Sequence, residues 1–258
     1  MKHKKNALLL LLLQIGAFPL AAENQLSAQQ VVERMAAKAD EMDLAGEDWG
    51  YWRESVEKKL DSKNRIEEET KKLRRTIWLK GKPYMELVKL HDKDLDTGEQ
   101  KEEAERKAKF AKEIKGPKKK DSEDDDPTWK QLIEKYDYSL LSSDVQAFYL
   151  VSFRPKVSGV SERNRPDKIF NNLMGRLWID EDFHLIRAIA NLTRSLSFGL
   201  GLVGKLEKLE IDYRRQQYEK IWLPSSLDLQ INARVMVFKS VRQKVNMRFF
   251  DPFRRPEN

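Results

Sequence analysis

The sequence predicts an α+β chain: one curled, mostly antiparallel half-barrel sheet of about ten strands, covered by helices. Three observations carry that expectation. Late in the chain, Leu227, Leu229, Ile231, Ala233, Val235 and Val237 hold one parity against Asp228, Gln230, Asn232 and Arg234, the period-two mark of strands. Near the N-terminus, three strand-like segments follow one another across short turns, as in an antiparallel meander. Helical spacing is confined to one N-terminal stretch and a few short segments. A sheet this wide curls, its apolar face needs cover, and the helices are the cover available.

Composition agrees with a packed domain. The 258 residues carry 49 Lys and Arg against 42 Asp and Glu, a net charge of +7. With 40% hydrophobic residues, a core is feasible, in one large domain or two small ones. The absence of cysteine excludes disulfides, thiolate zinc sites, thiol catalysis and lipidation at cysteine. A single apolar run excludes a polytopic membrane protein. That run opens the chain: Lys2, His3, Lys4 and Lys5 form a basic segment, Ala7 to Leu13 and Ile15 to Ala22 are apolar, and polar sequence begins at Glu23. These are the three parts of a secretory signal peptide. Residues 1–22 are thus expected to be removed, leaving 23–258 as a single periplasmic or secreted domain. The modest charge and that compartment argue against nucleic acid as a partner.

The elements follow in order. Ser27 to Gln30 has the form of a capping box, and Val31, Val32, Met35, Ala36 and Ala39 recur at helical spacing, so a helix runs from about Ser27 to Glu41. Strands follow at Trp49 to Leu60, Arg65 to Leu79 and Pro83 to Leu90, broken at Asp61–Asn64 and Lys80–Gly81. Residues 97–127 are read as a charged insertion. Thr97 and Gln100 make a second capping-box pair, and Glu102–Arg106, Glu103–Lys107 and Glu105–Lys109 support a solvated helix to about Ile114. The run from Gly116 to Pro127 lacks an apolar core and reads as a loop. Trp129, Leu132, Ile133 and Tyr136 space as a short helix, followed by strands Asp137 to Leu141 and Val145 to Arg154. A short helix, Asp167 to Met174, precedes a hairpin of Gly175 to Asp180 and Phe183 to Thr193. Three alternating strands end the chain, around Leu209–Tyr213, Leu227–Val237 and Val241–Phe249.

Several motifs within this order bear on identity: Gly175-Arg176-Leu177-Trp178-Ile179-Asp180, then Leu185-Ile186-Arg187, then Phe198-Gly199-Leu200-Gly201, then Trp222-Leu223-Pro224. In this stretch the chain resembles the outer-membrane lipoprotein-sorting superfamily, which groups the periplasmic lipoprotein carrier, its outer-membrane receptor and a sigma-factor regulator domain. The resemblance covers Gly175 to Val237 in motif and the rest in element order. It implies a half-barrel that handles lipid, lipoprotein or a protein partner, and it transfers no functional residue individually. The charged insertion departs from that family's compact pattern.

Other motifs admit a plain structural role beside a functional one. Gly199 to Gly204 matches G-x-G-x-x-G, but alternation rather than a helix follows, so a glycine-rich bend outranks a dinucleotide site. The same bend offers a second reading: Phe198, Leu200 and Leu202 as an apolar contact tip for lipid or a partner. Asp92 to Gly98 resembles half of a calcium loop, but its glycine is one place late, and a solvated acidic turn accounts for it. His91 and His184 lack metal or general-base spacing, and His184 reads as a sheet-surface residue. With no nucleophile elbow, an enzyme is not expected. No cofactor is expected either. Trp49, Tyr51, Trp52, Trp78 and Trp178 are candidate cavity liners, weighed against simple core filling. The expected activity is the sheltering of an acyl chain, lipid or lipoprotein in an apolar cavity, with peripheral membrane contact. The alternative is an envelope regulator or scaffold that binds another protein through the same sheet.

Overall fold

The computed structural model describes residues 26–114, 133–141, 148–156, 165–198, 204–235 and 239–256. Three helices are described: α1 (Ala28–Gly46), α2 (Thr97–Glu113) and α3 (Arg165–Phe170). The first strands are β1 (Trp49–Leu60), β2 (Ile66–Leu79), β3 (Lys82–Leu90) and β4 (Lys93–Asp94). The middle strands are β5 (Tyr136–Leu141), β6 (Phe148–Pro155), β7 (Leu173–Asp180) and β8 (Leu185–Leu192). The last are β9 (Leu196–Phe198), β10 (Gly204–Tyr218), β11 (Ile221–Val235) and β12 (Lys239–Arg254). All join one open 12-stranded sheet of order β4-β3-β2-β1-β12-β11-β10-β8-β7-β6-β5, with β9 on β10. Every pairing is antiparallel. The count exceeds the expected ten by β4 and β9, which at two and three residues are too short to show a period.

Pairing of β1 with β12 joins the N-terminal meander to the C-terminal strands. The turn between β1 and β2 is built as its composition suggests. Asp61 Oδ1 accepts from the amides of Lys63 and Arg65, both at 2.8 Å, and Asn64 takes the left-handed conformation it tolerates.

Helix α1 is capped by Ser27 and Gln30 in the expected reciprocal way. It buries Val31, Val32 and Met35 against Val151, Ile179 and Leu185 of β6, β7 and β8. Phe183 sits at positive φ in the β7–β8 turn, a strained geometry for an aromatic residue. Its ring stacks on Tyr149 at 5.6 Å and lies under Arg34 at 5.0 Å. Where α1 lies, the helix fills the sheet's apolar face as packed core; it does not roof a cavity there.

Two helices depart from expectation. The capping box of α2 is Asp96 with Glu99, one residue before the expected Thr97 and Gln100. Both acceptors are then carboxylates, which bind backbone N–H groups more strongly than a hydroxyl or an amide does. Nor is α2 wholly solvated: Glu103 is 4% exposed. It pairs with Arg106, while Lys107 reaches across to Glu86 of β3. Helix α3 ends at Phe170, well before Met174, because Leu173 and Met174 already belong to β7. Asn172, also 4% exposed, makes the junction. Its side chain donates to Lys168 O and accepts from Arg194 Nε, and its carbonyl accepts from Thr193 N, at 2.8 Å each. The loop read from Gly116 to Pro127, the start of the short helix at Trp129 and Leu132, and Leu200 and Leu202 of the apolar bend lie outside the described residues. Of the rest of that short helix, Ile133 to Lys135 form a helical turn and Tyr136 instead opens β5.

Candidate ligand-binding face

Cross-strand partners carry their side chains to the same face, so the registers trace rows across the sheet. One row runs Ser55, Met247, Leu227, Tyr213, Ala188, Leu177, Val151. The next runs Glu57, Val245, Leu229, Ile211, Ala190, Gly175, Phe153, Tyr138. Both rows lie on the face that α1 covers at its β5–β8 end. A row of the opposite face reads Val56, Asn246, Asp228, Asp212, Ile189, Arg176, Ser152, Ser139. One face is therefore apolar over seven strands and the other largely polar. Between the α1-packed region and β1, Met247, Leu227, Leu229, Tyr213 and Ile211 are half-buried.

The apolar rows end in charge at β1 and β2. Arg53 faces Arg74 directly across the pair, with Phe249 on one side and Leu87 on the other. Burial lowers the pKa of both guanidinium groups, and for Arg74 the neighbouring charges of Arg53 and Arg106 lower it further. Lys72, beside them, is matched by Glu57 at 2.8 Å. Arg74, Lys72, Leu87 and Leu90 line a cleft of about 300 Å³ with Glu99, Glu102 and Arg106 of α2. Tyr51 precedes Arg53 on the same parity, packs edge-on to Phe249 at 5.2 Å, and has its phenol pKa raised by burial. Its backbone is held by Thr76, whose Oγ1 accepts from Tyr51 N at 3.1 Å.

The aromatic residues singled out by sequence do not gather in one cavity. Trp49 is buried edge-on to Tyr218 at 5.2 Å with Arg254 over it. Trp78 packs on Phe253 at 6.0 Å and donates to Glu47 O at 3.0 Å. Trp52 and Trp178 lie on the polar face, each beside an arginine, Arg75 and Arg187. Arg187 in turn makes a forked pair with Asp212 at 2.9 and 2.7 Å, whose hydrogen bonds hold the Asp212 carboxyl below the usual range. Phe198 is half-buried on β9 with Lys168 at 5.4 Å. Only Tyr51 joins the apolar face with the arginine pair.

The remaining motifs fall as follows. A strand, β10, follows the glycine-rich segment, where a dinucleotide fingerprint would need a helix. The acidic turn is dismantled as a chelate: Asp92 faces Lys71 at 3.2 Å, Asp96 caps α2, and Glu103 is turned inward. Among the described residues no cluster of three or more His, Asp or Glu is placed to hold a metal. His184 is in the β7–β8 turn, not on a strand surface, with Nδ1 at 2.9 Å from Asp180 Oδ2. Sequence reading passed over Arg53, Ser55 and Arg74. Their only signal was parity with Tyr51, and it becomes legible once β1 and β2 are in register.

Fold and face together define an α+β protein with a single open sheet, one apolar face partly filled by a helix, and a basic margin. No family model matches the chain, and no curated protein does. Among solved structures it is similar to the crystal structure of a DUF1329 family protein from Desulfovibrio piger ATCC 29098, at 12% identity. That alignment covers 89% of this chain and 94% of the other, with a TM-score of 0.37, too low to carry an argument about function.

Proposed function

We propose that this chain is a non-enzymatic cell-envelope binding protein that shelters an acyl chain, lipid or lipoprotein on the apolar face of its half-barrel. The observation that carries the reading is the half-buried middle of that face, Met247, Leu227, Leu229, Tyr213 and Ile211, continuous with packed core at one end. Each methylene buried there contributes about 0.8 kcal/mol, which is enough for an alkyl chain to bind without any specific polar contact. The resemblance to the lipoprotein-sorting superfamily supports the same reading, as does the N-terminal export signal. Among the described residues no helix is long and apolar enough to cross a membrane. Native mass spectrometry of the exported protein should find co-purified phospholipid or fatty acid and an N-terminus at Glu23. A clean apo mass would refute the sheltering reading, and retention of Met1 would refute the export assignment.

A second reading, a regulator that binds another protein, is favoured by β5. That strand ends the sheet order and carries exposed Leu140 and Leu141, a ready edge for an added strand. A stoichiometric protein partner captured with the clean apo chain would support it.

A further inference from the structure

We propose that Arg53, Arg74 and Ser55 form a binding site for a phosphate oxyanion, and that in the lipid-sheltering reading, on which this part rests, the oxyanion is a phospholipid headgroup. Like charges placed directly opposite in an antiparallel pair destabilise it, yet Arg53 and Arg74 are such a pair. The other cations nearby are directly bonded, Lys72 by Glu57 and Arg106 by Glu103; Glu57 also attracts both arginines, and Glu103 attracts Arg74, without bonding them. Arg53 and Arg74 make no side-chain hydrogen bond or ion pair among the described residues. Arg53 Nε is fully buried without a partner, and so is the hydroxyl of Ser55, two residues on along the same face and 1% exposed. Orphaned buried donors are costly, and an arrangement that keeps two together beside a second guanidinium calls for an acceptor.

The donor set fits phosphate. Two guanidinium forks supply planar, bidentate N–H groups, and a hydroxyl adds a third donor. Both arginines are half-buried, and the partial desolvation that lowers their pKa values strengthens such bonds relative to those made in water. The register then places the rest of the ligand. Ser55 begins the row that continues through Met247 and Leu227 to Tyr213. Three strand spacings give about 14 Å of apolar face beside the donors. A head with anionic oxygens and an alkyl tail matches that order of surfaces.

The test is titration calorimetry of the exported chain with three probes: dihexanoyl-phosphatidylglycerol, inorganic phosphate and an uncharged octyl glycoside. Arg53→Gln with Arg74→Gln should weaken phosphatidylglycerol at least tenfold, leave the glycoside unchanged, and leave the melting temperature equal or higher, since a repulsion is removed. Should that variant fold poorly, Arg53→Lys with Arg74→Lys keeps the charge and loses the fork, and a several-fold weakening is expected. Unchanged phosphatidylglycerol affinity in the variants, or a wild-type chain that binds neither phosphatidylglycerol nor phosphate, overturns the site. If phosphate binds through the arginines while the glycoside never binds, the oxyanion site stands and the lipid-sheltering reading fails.

Discussion

Glu103 offers a direct test of how α2 is attached. The residue is 4% exposed in a helix where Glu102, Glu105 and Glu113 face water. One oxygen accepts from Tyr84 Oη at 3.0 Å and from the Leu87 amide at 3.1 Å, and the carboxylate pairs with Arg106. The Leu87 bond links the helix to the outer margin of β3, where β4 pairs only with Lys89 and Leu90. Replacing Glu103 with leucine removes two hydrogen bonds to a charged group, each worth about 1.5–3 kcal/mol. It also leaves a buried amide and a cation without partners. The substituted chain regains part of that loss by burying apolar surface, so a net destabilisation of about 3 kcal/mol is expected. Glu103→Gln keeps an acceptor for both donors and should cost about half as much. Urea melts give the two values, and amide hydrogen exchange at Leu87 reads the lost bond locally. If Glu103→Leu costs under about 1 kcal/mol and Leu87 exchanges as before, α2 is not anchored by this carboxylate and the reasoning fails.

Two other outcomes follow from the packing. A Cβ at Gly175 would lie 1.8 Å from Ile189 O and 2.8 Å from Phe153 Cζ, so Gly175→Ala should cost at least about 3 kcal/mol or abolish folding, read by thermal melts; a melt within 2 °C of wild type would contradict the register of β7 on β8. At high pH, burial and the bond to Glu103 push the Tyr84 phenol up to about 12 from an ordinary 10.0. The folded state therefore holds its proton longer, and the stability it contributes is intact below pH 10.0 and lost as pH rises toward 12. Burial raises Tyr136 and Tyr138 in the same direction. Melts from pH 9 to 12 should steepen above 10, and Tyr84→Phe should remove part of that slope.

The alternation of β10 to β12 and the meander of β1 to β3 were legible because each strand has one apolar and one polar side, so period two survives in sequence. The α1 face was legible for the same reason at helical spacing. What sequence hid was pairing. Arg74 sits in the run Lys71-Lys72-Leu73-Arg74-Arg75, which reads as a solvated charged strand until β2 is set against β1. Glu103 was hidden likewise, since its i+4 partner Lys107 gives it a local explanation, while its observed partners Tyr84 and Leu87 are in β3. The tryptophans divide between core filling, the reading favoured for them and realised by buried Trp49, and the polar face. Large aromatic residues invite a cavity, yet Trp52 and Trp178 rest beside arginines on the polar face, where the guanidinium covers the ring.

The candidate site depends on register more than on any single side chain. A slip of one residue sends every side chain of a strand to the other face, so Arg53 opposes Arg74 only while β1 and β2 hold their alignment. That alignment is fixed from both sides of the pair. Lys58 with Glu69, at 3.2 Å, and Lys59 with Glu68 are directly opposed charge pairs that this register satisfies. At the far end, Thr76 Oγ1 clamps the backbone of Tyr51 from β2. Between these fastenings the strands bring together two arginines that repel each other, in a stretch where the neighbouring Lys72 and Glu57 are matched. The sheet thus spends complementary charges on holding the strands, while Arg53 and Arg74, attracted by Glu57 and in the case of Arg74 also by Glu103, have no directly bonded partner among the described residues. A ligand with anionic oxygens is the partner that turns this local conflict into a favourable contact.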